Sequence, residues 1–544
     1  MDDQASSSRT TRLGEPGRTV TVRDAVIHLL RGWGCTTMFG NPGSTELPLF
    51  KDWPEDFRYV LGLQESVVVG MADAYALATR NAAFVNLHSA AGTGHSLGAL
   101  FGAWKNNAPV VVIAGQQARS MLLMEPFLGA QDAPEFPKPY VKYSVEPTRA
   151  EDVPHAIARA YYTAMQEPRG PVFVSVPVDD WDKAAELIEP RKVFSRKRPD
   201  AEGLRVIADA LAGAKNPCIV VGADVDRSGA FDLAVKLAER HETPVWVAPR
   251  TYRCNFPESH RLFAGFLPIS RTDVAETLKP YDVVLALGAP AFTYHAESRG
   301  PFLHPGTALF QIVSDPVQAA FTPVGTTVVA SVDAAVEDLL TLPAPKTARQ
   351  GQGRPPRQEL KASHPLQPAY VMQRIGKLRP KDSIIVEEAP TSRGPMNDFL
   401  PIDAPDGFFT TGSGGLGYGM PASAGVALAR PGQRVVAVIG DGSAMYSIQA
   451  LWTAAQHRLG ITFLIINNGG YLALKQMAGL FQMTEVVGTD LPGIDFVGLA
   501  GAMGVQASRV DKAENLDAAL TAAFTGDGPR LLEIAVEASF ADRL

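Results

Sequence analysis

Two short runs in the last third of the chain carry the residue types of a phosphate and metal site. Gly440-Asp441-Gly442-Ser443 closes the apolar run Arg434–Gly440, and Asn467-Asn468-Gly469-Gly470 closes the apolar run Thr462–Asn467. Each run reads as a buried strand with a glycine-rich turn at its carboxyl end and a helical pattern beyond, from about Met445 to His457 in the first case. Ligands of parallel α/β sheets bind at those strand ends. Glycines let the backbone approach a diphosphate, and the start of a helix favours its negative charge. A carboxylate, an amide oxygen and a carbonyl are hard donors that suit Mg²⁺, which shares its octahedron with phosphate oxygens. Gly-Asp-Gly alone is more often a turn and Asn-Asn-Gly a loop. Both in one chain, each on a strand end, point to the ion and the phosphate.

Four further residues sit at strand ends in the same manner. Glu65 follows the expected strand Tyr59–Leu63 and opens the helical run Val67–Thr79. A glutamate in a first helical turn is commonplace, because the helix dipole favours it. Ser44 lies in Asn41-Pro42-Gly43-Ser44, where a serine often serves only a turn or a cap. His88 ends the run Ala83–His88, and His295 follows the run Val283–Gly288. One histidine is more often structural than catalytic. Two at strand ends in different parts of the chain converge on clefts and qualify for proton transfer.

The elements that must hold these residues alternate short β-branched runs with longer helical patterns, the signature of parallel α/β layers. The expected strands are Thr36–Gly40, Tyr59–Leu63, Ala83–His88, Val110–Ala114 and Val172–Val176, then Cys218–Gly222, Pro244–Ala248, Val283–Gly288, Leu309–Val313 and Thr327–Ala330, and finally Ser383–Glu387, Arg434–Gly440, Thr462–Asn467 and Leu531–Ala535. Stretches rich in proline and charge at 177–200 and 343–364 separate three groups. The predicted plan is a flexible tail over 1–19 and three α/β domains, each a parallel sheet flanked by helices, at 20–180, 200–342 and 365–541, with 343–364 as a linker. No short-period repeat is present, although the first and third domains are candidates for the same fold.

Composition narrows the partners. The 544 residues carry a net charge of −7, which argues against nucleic acid or an anionic membrane. No apolar stretch is long enough to span a bilayer, and the N-terminus lacks the apolar core of a signal peptide. The three cysteines, Cys35, Cys218 and Cys254, are scattered, so a disulfide framework or zinc site is not expected and a reducing cytoplasm fits.

Gly440-Asp441-Gly442 followed by Asn467-Asn468 resembles the motif of thiamine-diphosphate enzymes. That resemblance implies thiamine diphosphate and Mg²⁺ as cofactors, with Asp441, Asn468 and the backbone oxygen of Gly470 as metal ligands. It places Gly440, Asp441, Gly442, Ser443, Asn468, Gly470, Tyr471 and Leu472 on the diphosphate. Gly414-Gly415-Leu416-Gly417 resembles the family loop in which a bulky apolar residue, here Leu416 beside Gly415, wedges under the cofactor. Leu63-Gln64-Glu65 resembles the activating glutamate, which drives the cofactor's aminopyrimidine to its imino form.

Within the family, the likeness from about Val20 to Ala535 is to benzoylformate decarboxylases. It rests on Asn41–Ser44, Asn86–Gly94, Ala114–Gln117, Asp179–Asp182, Val245–Pro249, Leu451–Gln456 and Pro492–Phe496. Pyruvate decarboxylases carry two adjacent histidines where this chain has His88-Ser89. The resemblance implies decarboxylation of a 2-oxo acid to an aldehyde and CO₂. Ser44 would hydrogen-bond the substrate carboxylate or its oxyanion, and His88 and His295 would relay protons. It also implies sites shared between subunits, with a dimer as minimum and a tetramer as the usual form. The substrate pocket would comprise Phe127, Leu128, Thr410, Leu474 and Met477. Thr410 and Met477 stand where phenyl-binding members have phenylalanine, Phe127 where leucine is usual, Gly470 where threonine is usual, and Pro390 in place of a polar residue. The rivals are a carboligase or lyase of 2-hydroxy ketones, a non-catalytic cofactor-binding homologue, and an enzyme carrying FAD in its middle domain.

Overall fold

A computed structural model of the chain describes residues 18–343, 345, 349–483 and 485–538. Most of the expected N-terminal tail and the last residues of the third domain lie outside that range.

The first domain contributes strands β1 (Thr37–Asn41), β2 (Arg58–Leu61), β3 (Ala83–Leu87), β4 (Val110–Gln116), β5 (Ser144–Val145) and β6 (Val172–Pro177). The middle domain contributes β7 (Pro217–Val221), β8 (Val245–Val247), β9 (Phe263–Phe266), β10 (Val283–Leu287), β11 (Ala308–Val313) and β12 (Thr326–Val329). The third contributes β13 (Ile384–Glu388), β14 (Phe408–Phe409), β15 (Val435–Gly440), β16 (Ile461–Asn467), β17 (Gln506–Val510) and β18 (Arg530–Ala535). Pairing within each sheet is parallel throughout. The first sheet runs β2-β1-β3-β4-β6-β5 and the third β14-β13-β15-β16-β18-β17, so these two domains share one strand order. The middle sheet runs β9-β8-β7-β10-β11-β12, the order of a doubly wound nucleotide-binding sheet.

Each expected strand is present with small shifts at its ends. Four strands were not anticipated: β5, β9, β14 and β17. All four are edges of their sheets. An edge strand needs no continuous apolar run; β17 exposes Gln506, Ser508 and Arg509 and buries Val510. A further antiparallel pair joins Thr19–Thr21 to Ala184–Glu186, inside the stretch read as a linker, and Trp181 just before it is fully buried. The helix expected from Met445 to His457 is interrupted. A short turn at Asp441–Ala444 is followed by i→i+3 hydrogen bonds through Ser447 to Leu451, and regular helix runs over Ala450–Gln456.

The cores of the first and third domains merge into one apolar cluster. At its centre the helix Glu65–Thr79 packs on the helix Gly419–Ala429. The approach depends on glycine at two points. A Cβ on Gly70 would come within 2.7 Å of Pro421, and one on Gly425 within 2.1 Å of the Met71 carbonyl oxygen. The helix headed by Glu65 and the helix that follows the Leu416 loop are therefore packed backbone to backbone.

Candidate active site

The metal-ligand pair is built by two neighbouring strands. Gly440 of β15 pairs in register with Ile466 of β16, so both turns leave the sheet side by side, at the carboxyl ends. Asp441 is buried, and among the described residues its Oδ2 has no hydrogen-bond partner; Asn468 Oδ1 is likewise buried and without a partner among them. Buried polar oxygens in folded proteins are nearly always satisfied. Two unspent oxygens on adjacent turns are what a hard divalent cation would take up. Burial raises the Asp441 pKa above the ordinary aspartate value, opposed by the backbone N–H groups of Gly442, Gly470 and Gly469. Among the described residues no group of three His, Cys, Asp or Glu side chains could hold a metal, so an ion here rests on one carboxylate, amide or carbonyl oxygens and phosphate.

The glycines keep this place open. A Cβ on Gly470 would come within 2.1 Å of the Thr489 carbonyl oxygen, and one on Gly442 within 2.5 Å of the Tyr471 ring. The first of these accounts for glycine at a position where threonine is usual: no side chain fits there. Ser443 is buried on the same turn, Tyr471 caps the helix Leu472–Leu480, and Leu472 is its first residue.

The loop 412–419 is held from below by Glu388, a residue the sequence reading passed over. Its Oε1 accepts the Gly417 N–H at 2.6 Å, and its Oε2 accepts the Gly419 N–H. Burial pushes the Glu388 carboxyl up to about 8, against those backbone hydrogen bonds. Gly415 is exposed and Leu416 half-buried at the crest of the loop.

In the first domain, Glu65 is the first residue of its helix, capped by the Gln64 side chain, which accepts the Ser66 and Val67 N–H groups. Its Oε2 lies 3.1 Å from Nδ1 of His95. A Cβ on Gly92 would lie 3.4 Å from Glu65 Oε1 and 3.7 Å from His88 Cβ, so Glu65 and His88 flank this glycine. Ser44 opens the 3₁₀ turn Ser44–Phe50 and is exposed. Two residues on, the buried Glu46 carboxylate accepts the Gly43 N–H at 2.6 Å and lies 3.1 Å from His88 Nδ1, with the Thr45 hydroxyl 3.0 Å from the same nitrogen. Gly43 and Gly115 give this cluster its room, since a Cβ on either would collide with His88 or Glu46. Glu46 also escaped the sequence reading: its carboxylate reaches back to the Gly43 N–H as the acid of a capping box does, but with glycine at the cap the run lacks the Ser/Thr-x-x-Glu signature that would have announced it.

The expected pocket residues fall in two places. Phe127 is 86% exposed and Leu128 41% exposed. Their loop is tied beside His88: the Ser89 hydroxyl donates to the Leu128 carbonyl at 2.5 Å and the Gln117 amide to the Phe127 carbonyl at 2.8 Å. Leu474 is exposed and Met477 half-buried on the helix Leu472–Leu480. Thr410 is buried, and its hydroxyl donates to the Glu387 carbonyl at 2.7 Å and lies 3.0 Å from Glu387 Oε2. His295 is exposed beyond β10, its N–H bonded to the Ile269 carbonyl; burial, then Arg250, holds its imidazole below the ordinary range. Among the described residues it makes no hydrogen bond to Ser44, Glu65 or His88. One chain thus brings together Ser44, Glu46, His88 and Glu65 as one group and Asp441, Asn468 and Gly470 as another. No hydrogen bond or ion pair among the described residues links the two groups.

Family models match all three domains: the thiamine pyrophosphate enzyme N-terminal TPP binding domain over residues 20–135, the central domain over 204–339 and the C-terminal TPP binding domain over 391–534. A benzoylformate decarboxylase from Pseudomonas aeruginosa is 43% identical over 94% of this chain and 98% of its own length. The large subunit of acetolactate synthase isozyme 3 from Escherichia coli is 27% identical over 92% of this chain and 91% of its own. Solved structures of a benzoylformate decarboxylase from Polynucleobacter necessarius and of a thiamine diphosphate-dependent 4-hydroxybenzoylformate decarboxylase from Rhodococcus jostii RHA1 superimpose with a TM-score of 0.93 each. They are 38% and 39% identical, and each covers 96% of this chain and all of its own. With the strand-end oxygens, the glycine cradle and the Glu65 helix in the matched segments, the chain belongs to the thiamine pyrophosphate enzyme family, in the part of it that resembles benzoylformate decarboxylase.

Proposed function

We propose that this protein decarboxylates a 2-oxo acid without oxidation, giving an aldehyde and CO₂, with thiamine diphosphate and Mg²⁺ bound. The observation that carries the reading is the pair of buried, partnerless oxygens, Asp441 Oδ2 and Asn468 Oδ1, on adjacent strand ends of a chain that aligns end to end with a decarboxylase. Bound thiamine diphosphate supplies the nucleophilic thiazolium carbon and the electron sink for loss of CO₂.

The rest falls to the chain's own residues. Asp441, Asn468 and the Gly470 carbonyl hold the metal, and the Gly440–Ser443 and Gly470–Leu472 turns hold the diphosphate. Glu65 holds a proton at its carboxyl group for exchange with the aminopyrimidine ring. Ser44 binds the substrate carboxylate. His88, oriented by Glu46 and Thr45, moves a proton at Nε2, the nitrogen left free by its Nδ1 contacts. His295, in the middle domain, is the second proton carrier of this reading. Phe127, Leu128, Thr410, Leu474 and Met477 border the substrate.

The two groups of site residues lie apart in one chain, and the loop beside His88 leaves Leu123, Met124 and Phe127 more than 70% exposed. Such apolar exposure marks a contact surface. A second copy covering it would complete the site, so a dimer is the minimum unit and a tetramer the full assembly. No helix among the described residues is long and apolar enough to cross a membrane. With its buried free cysteines the enzyme suits the cytoplasm.

The test is CO₂ release by the holoenzyme from aromatic, branched and straight-chain 2-oxo acids, with and without an acceptor aldehyde. Aldehyde and CO₂ in equal amounts are expected. A 2-hydroxy ketone as main product would make the enzyme a carboligase, and release from none of these acids would remove the decarboxylase reading.

A further inference from the structure

A cleft of about 550 Å³ opens at the opposite ends of the strands that carry the site. It is lined by Arg58 of the first domain and by Arg434, His457 and Arg458 of the third, with the backbone of Gly432 and Gly460 between them. Arg58 begins β2, the strand leading toward Glu65. Arg434 precedes β15, which ends just before Asp441, and Gly460 precedes β16, which ends just before Asn468. A strand rises about 3.3 Å per residue, so this cleft and the strand-end oxygens are on the order of 20 to 25 Å apart along the strands. It is separate from the site described above.

Its charge is unusual for a chain with net charge −7. No carboxylate lines it. The side chains of Arg58 and Arg458 form no ion pair or hydrogen bond among the described residues, and both are exposed. Arg434 is partly spent on the Gly526 and Gly528 carbonyls, with Asp527 the carboxylate that offsets it from beyond the lining. His457 is half-buried between them, its imidazole held below the ordinary range by burial and then by Arg58. A surface stripe of arginines is normally interleaved with acids. Here cations from two domains face one concave space of the volume that small ligands occupy.

We infer that this cleft is a binding site for a phosphate ester of nucleotide size, clamped between Arg58 and Arg458 across the seam of the first and third domains. Guanidinium forks match phosphate oxygens in pairs, and three of them with a neutral imidazole suit a di- or trianion better than a monocarboxylate. The occupant bridges two domains that already share a core, so it holds the seam from the side away from the chemistry.

The experiment titrates ADP, AMP and inorganic phosphate into holoenzyme saturated with thiamine diphosphate and excess Mg²⁺, by calorimetry, with sodium chloride at matched ionic strength as control. The comparison is Arg58→Gln/Arg458→Gln, two exposed changes whose melting temperature verifies the fold. One saturable event per chain is expected for ADP or AMP, weakened at least tenfold in the double variant and absent with chloride. Three results overturn the inference: no saturable binding of either nucleotide, binding of inorganic phosphate alone, or equal affinity in the variant, which would assign the nucleotide to the cofactor's own diphosphate site. None of these depends on which 2-oxo acid the enzyme takes.

Discussion

Nδ1 of His88 lies 3.1 Å from Oε2 of Glu46, a carboxylate buried beneath the turn that carries Ser44. The same carboxylate takes the Gly43 N–H at 2.6 Å, so turn and imidazole are positioned by one group. Glu46→Ala is expected to lower kcat by up to the general acid–base contribution of an oriented histidine, on the order of 10² to 10⁴-fold. Glu46→Gln keeps an acceptor at the same reach and should lose less. Steady-state kcat for both variants, with circular dichroism to verify the fold, decides the matter. Wild-type turnover in the two of them would leave His88 without this support.

Glu65 heads its helix and reaches His95 at 3.1 Å. Glu65→Gln preserves shape and removes the acid. The exchange rate of the cofactor's C2 proton, followed by NMR after deuterium quench, is expected to fall by on the order of 10² to 10⁴-fold. Thiamine diphosphate affinity should change far less. Exchange as fast as in the wild type would take Glu65 out of the activating role.

Asp441 Oδ2 and Asn468 Oδ1 are buried and accept no hydrogen bond among the described residues. Chelation followed by dialysis should therefore abolish activity, and thiamine diphosphate with Mg²⁺ together, neither alone, should restore it. Asn468→Ala removes one donor and should raise the Mg²⁺ concentration needed for half-reactivation at least tenfold. Unchanged Mg²⁺ dependence in that variant would move the ion elsewhere.

The cofactor half of the site was legible because its parts are consecutive in the chain. Gly440-Asp441-Gly442 and Asn467-Asn468 each end a long apolar run, and strand ends are where parallel sheets bind ligands. Glu46 and Glu388 were not legible. Glu46 meets His88 because β1 and β3 pair with Asn41 beside Leu87, and no pattern within either run announces that register. Glu388 ends β13 as the second of two glutamates, and its bonds to Gly417 and Gly419 cross to a loop far along the chain. The missed strands failed for another reason: β5, β9, β14 and β17 are edges, where β9 alternates buried with more exposed residues, β17 buries only Val510, and β5 and β14 are only two residues long, too short to show a period. The broken helix after Asp441 follows i→i+3 bonding around the buried Ser447, which periodicity cannot distinguish from regular helix.

Asp73 is fully buried on the Glu65 helix, with Asn106 donating to its Oδ2 at 2.8 Å and its Oδ1 unpartnered. Burial pushes its carboxyl up to about 7, against the Asn106 hydrogen bond and Arg253. An unfolded aspartate titrates near about 4. Between those values the folded chain holds a proton that the unfolded chain has lost, so stability is full below about pH 4 and declines as pH rises toward 7. The slope is at most about 1.4 kcal/mol per pH unit. Asp73→Asn mimics the protonated acid and removes the titration. Urea midpoints at pH 5 and pH 8 should fall for the wild type relative to the variant; parallel values at the two pH settings would show that Asp73 is ionised throughout.

Met477 is half-buried on the helix Leu472–Leu480, close in sequence to the exposed Leu474, and has no ring to stack on a phenyl substrate. Its unbranched chain can fill the space in several ways, which favours tolerance over selectivity. Thr410, the other position singled out by the resemblance, is buried with its hydroxyl bound to Glu387, so a phenylalanine there has no room and would remove one hydrogen bond from a Glu387 carboxylate that Arg393 and the Ala389 N–H also hold. The two positions therefore separate. Met477→Phe should shift kcat/KM toward benzoylformate over a branched-chain 2-oxo acid by roughly 2- to 13-fold, the worth of one aromatic pair at about 0.5 to 1.5 kcal/mol. Thr410→Phe should instead lower the melting temperature and the activity toward both acids. The measurement is kcat/KM for both acids in the wild type and the two single variants. A wild-type preference for benzoylformate above about a hundredfold, or roughly 2.7 kcal/mol, left unchanged by Met477→Phe, would place specificity in the Phe127–Leu128 loop.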